Sequence, residues 1–454
     1  MKKPMLKPIE ERKSLPMEKC EEYAKILAKM INCKTVFTED GENKAEFEKF
    51  YSVIEEFFPK LTEKAKKLTF GSGCFFYVIE GKNPKKNVMI MSHHDVVDGG
   101  EGWDTDPFSA VEKDGFLYGR GTIDTKTPLF AELMACEELL EEGYDFEDIN
   151  LYIGSSNNEE CSGDGMVLAA KYFEENGIRF DTVLDEGGAI TEGMIPGVKN
   201  KSAVVAVHEK SRHFFCCKTV TEAQSGHGSF AKKNANPTER MSSFVAEVLD
   251  SSKKIYKGEF YPEVKATFES HVPYMAFPMN MLFGNITLFA PIIKKIMMGI
   301  PAASAMLSTG VSFTSVNTDK ISKEAEATLY IRCIREEDLY RGLEEIRNIG
   351  KKYGIVIEET LRDYCKPTDF KADAFKKTEE LLHRNFPDVI VAPFLLTAGT
   401  DARRLTKVAD NILRFAPIDL NKKQFASIHG ANEHIGIKNI GECVLFYKDF
   451  IKMI

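Results

Sequence analysis

Short apolar runs that alternate with helical segments restrict the fold of this chain more than any other feature. Three runs in its first part, Asn87–Ser92, Ile149–Gly154 and Thr182–Leu184, have the length and composition of strands covered on both faces. The segments around them have the periodicity of amphipathic helices, at Glu18–Asn32, Lys44–Phe58, Pro128–Glu142 and Gly165–Asn176. This alternation predicts an α/β fold with a mostly parallel, mixed sheet flanked by helices.

The pattern changes from about Ala203 onward. Val204–Val207 and Phe214–Val220 read as half-buried strands, and a small α/β sandwich follows, with segments at Pro237–Asp250, Ala325–Ile334, Glu336–Tyr353 and Ile355–Thr360. The last stretch returns to the first pattern, at Asp373–Asn385, Val389–Leu396, Asn411–Phe415 and Asn439–Met453. A chain of 454 residues is also too long for one ordinary core. We therefore expect a larger domain built from residues 1–203 and 372–454, with residues 204–371 inserted as a second domain.

Charge and cysteine content narrow the functional classes. The formal net charge is −9, and no basic stripe is present to pair with phosphates, which argues against a nucleic-acid-binding protein. The ten cysteines include no C-x-x-C pair, so we expect reduced, mostly buried thiols. Residues 1–19 carry positive charge without an apolar core segment, unlike a secretory signal. These features predict a cytoplasmic protein.

The most apolar stretch of the sequence is Phe277–Leu307. Pro291, Lys294, Lys295 and Pro301 would interrupt a membrane span there, so we expect no transmembrane segment. The stretch instead predicts a helical insertion with an apolar face. A role at a membrane surface or as a gate is the alternative.

The motif His93-His94-Asp95 directly follows the first apolar run. Functional groups of open α/β sheets lie just beyond the carboxyl ends of strands. Residues two apart share a face of a strand, so His93 and Asp95 should point together and His94 away. Asp95 could then orient His93 as a metal-bound imidazole requires. Polar residues after a strand are by default a loop, so this motif is weak by itself.

Two further motifs supply carboxylates. In Gly119-Arg120-Gly121-Thr122-Ile123-Asp124, the glycines allow a tight turn, and Asp124 could bridge two cations or simply cap the next helix. Glu159-Glu160 follows the second apolar run, and adjacent carboxylates repel unless a cation lies nearby. One could bind metal while the other takes a proton from water. Glutamate pairs are also common on surfaces, so each motif alone permits a structural explanation.

The last two motifs contain Asp185, which ends the third run in Leu-Asp-Glu-Gly-Gly, and His429 in His-Gly-Ala-Asn-Glu. Together the motifs place histidine and carboxylate side chains after strands or before helices of one sheet. Mixed nitrogen and oxygen ligands suit zinc-like ions.

The order of these motifs resembles a metallopeptidase family. That family comprises aminoacylase, carboxypeptidase S, glutamate carboxypeptidase, carnosinase-type dipeptidases and succinyl-diaminopimelate desuccinylase. The resemblance runs from about Asn87 to the end of the chain. It is strongest to the carboxypeptidase S-like branch, because Trp103, Pro107 and Phe108 fit its W-x-x-x-P-F motif.

The resemblance implies roles for the motif residues. His93 and Asp185 would bind one metal ion, Glu160 and His429 a second, and Asp124 would bridge them. Asp95 would orient His93, and Glu159 would be the general base. The cofactors would be two divalent ions, with zinc expected and cobalt or manganese as alternatives.

The resemblance also implies that the inserted domain is a lid with a four-stranded sheet and two helices, often used for homodimerisation. His227, in Gly226-His227-Gly228-Ser229, would help to polarise the scissile carbonyl, within its own chain or across a dimer. Asn317 and Arg332 would grip the substrate, and Arg332 suits a terminal carboxylate. Arg403, in Thr-Asp-Ala-Arg, would line the pocket or belong to a simple turn.

The expected activity is hydrolysis of an amide bond next to a free carboxylate. The substrate alternatives are a dipeptide, the C-terminal residue of a peptide and an N-acyl amino acid. A catalytically silent relative that binds such compounds is the competing hypothesis. The intact Glu159 argues against it, since a silent relative should have lost the base or ligands.

Overall fold

The structure is a computed structural model that describes residues 6–193, 195, 197–219, 236–318 and 324–454. The helices of these residues are α1 Met17–Ile31, α2 Lys44–Phe57, α3 Pro59–Lys64, α4 Lys126–Glu141, α5 Gly165–Glu175, α6 Pro237–Ile255, α7 Pro262–His271, α8 Met279–Gly284, α9 Ile286–Met298, α10 Pro301–Ala305, α11 Glu336–Tyr353, α12 Asp373–Asn385, α13 Lys422–Ser427 and α14 Ile437–Met453. The strands are β1 Lys66–Phe70, β2 Cys74–Ile79, β3 Lys86–Met91, β4 Val111–Lys113, β5 Phe116–Tyr118, β6 Ile149–Ser155, β7 Phe180–Asp185, β8 Ile190–Thr191, β9 Ser202–Glu209, β10 Ser211–Thr219, β11 Gly310–Thr318, β12 Ala325–Cys333, β13 Ile355–Asp363, β14 Ile390–Leu396, β15 Ala409–Arg414, β16 Asp419–Leu420 and β17 His434–Gly436.

The large sheet is mixed and has ten strands, in the order β1-β2-β6-β3-β7-β15-β9-β8-β16, with β14 paired to β9. Its centre is parallel, because β3 runs parallel to both β6 and β7, and β7 runs parallel to β15. The outer pairs β1·β2 and β2·β6 are antiparallel. The predicted fold class, a mixed and mostly parallel sheet, is confirmed.

Both faces of this sheet are covered, as the continuous apolar runs predict. Val88 and Ile90 of β3 belong to the core cluster that also contains residues of α1, α4 and α14. Met89 and Met91 of the same strand point to the other face and pack in the cluster that contains α5. Alternation along a strand that is apolar at every position therefore supplies two cores.

A separate four-stranded antiparallel sheet has the order β11-β12-β10-β13. Helices α6 and α11 pack on one of its faces, and β10 and β12 alternate between buried and partly exposed residues. The expectation that Phe214–Val220 begins a half-buried strand agrees with β10. The same expectation for Val204–Val207 is wrong, because β9 lies inside the large sheet and all its residues are buried. The expected domain boundary after residue 203 therefore falls within a strand of the large sheet.

The apolar stretch Phe277–Leu307 is helical, as expected, and contains α8, α9 and α10. Pro291 lies inside α9. The stretch packs on α7, which in turn packs on β14 of the large sheet. Among the described residues, no helix combines the length and the apolar composition that a membrane span requires.

Candidate metal centre

The parallel strands β3, β6 and β7 end at one edge of the large sheet. Met91 pairs with Gly154 of β6 and with Asp185 of β7, so the three strands stop at nearly the same level. The residues that follow, His93 after β3 and Glu159-Glu160 after β6, consequently meet at this edge. The sequence motifs are brought together by strand register.

Asp124 lies between two histidines. Its Oδ1 is 3.0 Å from Nε2 of His93, and its Oδ2 is 3.1 Å from Nε2 of His429. Glu160 contacts the second histidine, with Oε1 at 3.1 Å from Nε2 of His429. Ligand atoms of His93, Asp124 and Glu160 all lie within 4.8 Å of one another, which is the spacing of a metal-binding group. The structure therefore brings together four of the five residues expected to bind metal.

The loop that carries Asp124 is held by Glu433, a residue that the sequence analysis did not single out. The buried Glu433 carboxylate accepts hydrogen bonds from the backbone N–H groups of Gly121, Ile123 and Asp124 at 2.6 to 3.1 Å. It also pairs with Arg120 at 2.7 Å. Because Glu433 lies four residues after His429, this carboxylate joins the two motifs. Gly121, with φ +87°, makes the tight turn that its motif predicts.

Asp95 differs from its expected role. The Asp95 backbone oxygen lies 2.9 Å from Nδ1 of His93, whereas the carboxylate is more distant, at 3.5 Å. The carboxylate instead accepts hydrogen bonds from the backbone N–H groups of Glu159 and Glu160, both at 3.1 Å. Asp95 thus orients His93 mainly through its main chain and fixes the glutamate pair through its side chain. His94 points away, as expected, and packs against Phe50.

Asp185 also differs from expectation. Its two oxygens accept hydrogen bonds from the backbone N–H groups of Glu186 and Ala402, both at 2.9 Å. Its neighbour Glu186 lines the same cavity as His93 and Asp124. The carboxylate of this motif that lines the cavity is therefore that of Glu186. The sequence contained a signal for it, since Asp185 and Glu186 point to opposite sides as consecutive residues at a strand end.

Glu159 lies beside Arg403. Oε1 of Glu159 is 3.3 Å from Nη2 of Arg403, whose side chain is almost fully buried. Burial and the nearby charge of Asp401 raise the pKa of Glu159 well above its ordinary value, although His93 and Arg403 oppose the shift. Arg403 belongs to a short helical turn, Asp401–Leu405, and contacts Glu159 where a substrate contact was expected.

The charges of the cluster fit bound cations. Asp124, Glu159, Glu160 and Glu186 face one cavity, and two histidines of the described residues, His93 and His429, line it with them. Hydrogen bonds to Asp124 and Glu160 raise the pKa of His429 to about 10. Burial and the neighbouring carboxylates raise the pKa of Glu186 well above its ordinary value. The donors are imidazole nitrogens and carboxylate oxygens, and the carboxylates outnumber the histidines among the described residues, so divalent zinc-like ions suit the site.

Of the expected substrate-binding residues, Arg332 lies near this edge. It pairs in register with Arg212, which donates a hydrogen bond to Ser162 at 2.8 Å, two residues after Glu160. Asn317 pairs with Glu326, six residues from Arg332 along β12, which corresponds to about 20 Å. The two therefore cannot contact one carboxylate within one chain. His227 lies outside the described residues.

The wall of the cavity beyond the polar cluster is mainly apolar. The cavity has a volume of about 380 Å³. Its apolar side chains come from the ends of strands and from the segment before His429, and they include Val204, Phe394, Leu396, Ala416, Ile418, Leu420, Phe425 and Ile428. The site therefore joins a cluster of metal-type ligands to a pocket for an apolar group.

Comparison with known proteins was consistent with this geometry. Residues 89–453 match the model of peptidase family M20/M25/M40. The N-fatty-acyl-amino acid synthase/hydrolase PM20D1 of Mus musculus is 29% identical over 390 residues, covering 83% of this chain and 76% of that protein. The probable carboxypeptidase S-like 2 of Dictyostelium discoideum is 28% identical over 451 residues, covering 95% and 85%.

A solved structure shares the fold. The M20 family metallo-carboxypeptidase Sso-CP2 from Sulfolobus solfataricus superimposes with a TM-score of 0.67 at 17% sequence identity, covering 95% of this chain and 99% of that one. The match of the family model spans every motif from β3 to α14. The resemblance drawn from the motif order is thus confirmed, and with it the enzyme class, a metallopeptidase or amidohydrolase. The chain belongs to peptidase family M20/M25/M40.

Proposed function

We propose that this protein is a dinuclear metal-dependent hydrolase that cleaves the amide bond of an N-acyl amino acid next to its free carboxylate. The observation that carries the proposal is the position of Asp124, whose two carboxylate oxygens face two different imidazoles at 3.0 and 3.1 Å. A carboxylate in this position can contribute one oxygen to each of two cations.

The two ions would be held by overlapping sets of residues. His93, Asp124 and Glu186 would hold one ion, and Asp124, Glu160 and His429 the other. Asp185, expected in the place of Glu186, would support it through the backbone. When bound, the ions supply Lewis acidity, which lowers the pKa of water toward ~7 and polarises a carbonyl. Zinc is the expected metal, with cobalt and manganese as alternatives.

Glu159 would be the proton carrier. Its carboxylate would accept a proton from the attacking water and then transfer it to the nitrogen of the leaving amine. Two contacts would keep Glu159 in place for both transfers. Its backbone N–H donates a hydrogen bond to Asp95 at 3.1 Å, and its carboxylate pairs with Arg403 at 3.3 Å. An intact base in a formed cavity also argues against a catalytically silent binding protein.

The apolar cavity supports an N-acyl amino acid as the substrate. An acyl chain is apolar throughout and would lie among Val204, Phe394 and Ile418, whereas most peptides would place polar amide groups there. The name of the mouse relative, which refers to N-fatty-acyl amino acids, points the same way. Arg332 is the candidate partner for the substrate carboxylate. Removal of a C-terminal residue from a peptide with an apolar side chain is the second candidate, favoured by the carboxypeptidase S-like relative.

The position of Asn317 favours a homodimer. Since Asn317 lies about 20 Å from the Arg332 end of the four-stranded sheet, it would reach a substrate only in a second copy of the chain. His227 would act across the same interface. We also propose a cytoplasmic location, because all ten cysteines are free and most are buried.

A release assay tests this substrate assignment. Metal-depleted protein is supplied with zinc, cobalt or manganese, and amino-acid release is compared for N-acyl amino acids and dipeptides that share the C-terminal residue. We expect kcat/KM to rise at least ~10-fold from an acetyl to a medium-chain acyl group, because added methylenes enter an apolar pocket. Faster release from dipeptides would favour the second candidate, and absence of release from every compound would reject hydrolysis.

A further inference from the structure

The helical insertion exposes several large apolar residues. Phe277 and Leu288 are 78% and 74% exposed, and Met281, Ile292, Ile296 and Ile300 are also exposed. Single exposed apolar side chains are ordinary on a protein surface, but a group of six within one short segment is not. Three of the six, Leu288, Ile292 and Ile296, belong to α9, and we call these three the apolar helix face.

Helical spacing places the residues of the apolar helix face in one stripe. Leu288, Ile292 and Ile296 follow each other at intervals of four in α9, so they lie on one side of the helix. The other side carries Ile286, Ile293 and Met297, which are buried against the rest of the insertion. Helix α9 is therefore apolar on two sides, and only one of them is covered by the described part of the chain.

The charge around the face is one-sided. Residues 270–318 include no aspartate or glutamate, although the chain as a whole has 69 acidic residues and a net charge of −9. The only lysines or arginines in that range are Lys294 and Lys295 of α9. Helical spacing places Lys295 at the edge of the stripe and Lys294 on the far side of the helix. An apolar stripe with an adjacent lysine and no acidic residue in the same segment fits a surface that is apolar inside and anionic at its boundary.

We propose that the apolar helix face docks on an anionic lipid bilayer, with α9 lying parallel to the membrane plane. Leu288, Ile292 and Ile296 would enter the boundary between headgroups and acyl chains, roughly 5–10 Å deep. Lys295, at the edge of the stripe, would pair with lipid phosphates at the surface. The 13 residues of α9 give it a length of about 20 Å, which suits a helix that lies on a membrane and is too short to cross one.

Charge favours a lipid surface over a second copy of the chain. In a two-fold contact through this face, the Lys295 side chains of both copies would lie within one apolar contact. No acidic residue of 270–318 is available to neutralise them. An anionic headgroup layer supplies the missing negative charge, so the bilayer is the occupant that the face fits.

Vesicle sedimentation of the full-length protein tests the proposal. We expect the wild type to pellet with vesicles of equal parts phosphatidylcholine and phosphatidylglycerol and to pellet less with pure phosphatidylcholine. The L288S/I292S/I296S variant should lose at least ~10-fold of its binding, because most of the inserted apolar surface is removed. K295Q should bind the anionic vesicles more weakly and lose the preference for them. The matched control V167S/L168S alters two exposed apolar residues on α5 and should bind like the wild type.

Three outcomes would overturn the proposal. The first is equal binding by the wild type and the triple serine variant, and the second is no binding by the wild type. The third is a wild-type dimer in light scattering that the triple variant converts to monomer, which would assign the face to a second copy. If the triple variant fails to fold, vesicle binding is compared between the wild type, the single variant I292S and the lysine variant, both of which should bind more weakly. Hydrolysis of a short-chain, water-soluble N-acyl amino acid should be unchanged in all variants, so failure of docking and failure of the proposed activity are separately visible.

Discussion

Glu159 and Glu160 are neighbours in sequence but have different partners. Glu160 reaches His429 at 3.1 Å, whereas Glu159 reaches Arg403 at 3.3 Å. The Asp95 carboxylate accepts hydrogen bonds from the backbone N–H groups of both residues, each at 3.1 Å. The backbone is thereby fixed, and the two side chains reach different partners. This arrangement suits one metal ligand and one proton carrier.

Replacing Glu159 should separate proton transfer from metal binding. We expect E159Q to retain its metal content and to lose at least ~10²-fold in kcat, because a general base contributes a factor of that order. Metal analysis and steady-state kinetics on the same preparation provide the measurement. E174Q, at an exposed glutamate of α5, serves as the matched control. Near-normal turnover in E159Q would reject Glu159 as the base.

Glu186 and Asp185 should respond differently to removal of their charge. We expect E186Q to bind less metal, because Glu186 faces the cavity with His93 and Asp124. D185N should mainly lower thermal stability, by roughly 1–3 kcal/mol, since its carboxylate accepts two backbone hydrogen bonds. Metal content after dialysis and thermal unfolding of both variants distinguish the roles. If D185N loses metal and E186Q keeps it, the assignment drawn from the family resemblance is correct instead.

At the scale of elements, the edge of the parallel strands was predictable from sequence and its supporting contacts were not. The apolar runs of β3, β6 and β7 identified three strands, and the polar residues after them identified the edge. The role of Glu433 depends on backbone N–H groups in a loop more than 300 residues away in sequence. The different roles of Asp185 and Glu186 depend on the local direction of the chain. Such contacts leave no periodic pattern.

The strand β9 shows a second limit. Its core residues Val204–Val207 are apolar at every position, yet the change in pattern nearby suggested a half-buried strand at the start of an inserted domain. In the structure β9 lies between β15 and β8 and also pairs with β14. Pairing across the sheet decides how many faces of a strand are covered, and sequence spacing alone does not reveal such long-range neighbours.

A buried ionic group links elements of the two sheets and should make stability depend on pH. Glu263 of α7 pairs with Arg335 after β12 at 2.9 Å and with His208 of β9 at 3.0 Å. Despite burial, the contacts of Glu263 with His208 and Arg335 lower its pKa to about 2. A lowered folded-state pKa stabilises the protein above the unfolded value of about 4.5, and this stability is lost as pH falls toward 2.

Unfolding of E263Q measures this contribution. We expect E263Q to be less stable than the wild type by roughly 2–3 kcal/mol near neutral pH, with a difference that narrows as the pH is lowered below ~4. Burial lowers the pKa of His208, so its protonation adds to the loss of wild-type stability below the ordinary histidine range. E269Q, at an exposed position of the same helix, is the control. A difference that stays constant with pH would contradict the assigned charge state of Glu263.

At the scale of the whole molecule, the large sheet carries the ligand cluster and the four-stranded sheet carries Arg332 beside it. The two sheets are connected through β9 and β10, which follow each other with only Lys210 between them. Arg212 of β10 reaches Ser162 in the loop after Glu160, so the second sheet contacts the site directly. The second sheet thus contacts the loop that carries Glu159 and Glu160, whereas the cavity itself is lined by residues of the large sheet and its loops.

The metal content of the purified protein tests the dinuclear centre most directly. Elemental analysis after loading with zinc and exhaustive dialysis should find about two ions per wild-type chain. D124N should lose both ions together, because the Asp124 carboxylate lies between His93 and His429 and would serve both sites. A wild-type chain that retains one ion or none, or a D124N chain that keeps two, would contradict a shared bridge at Asp124.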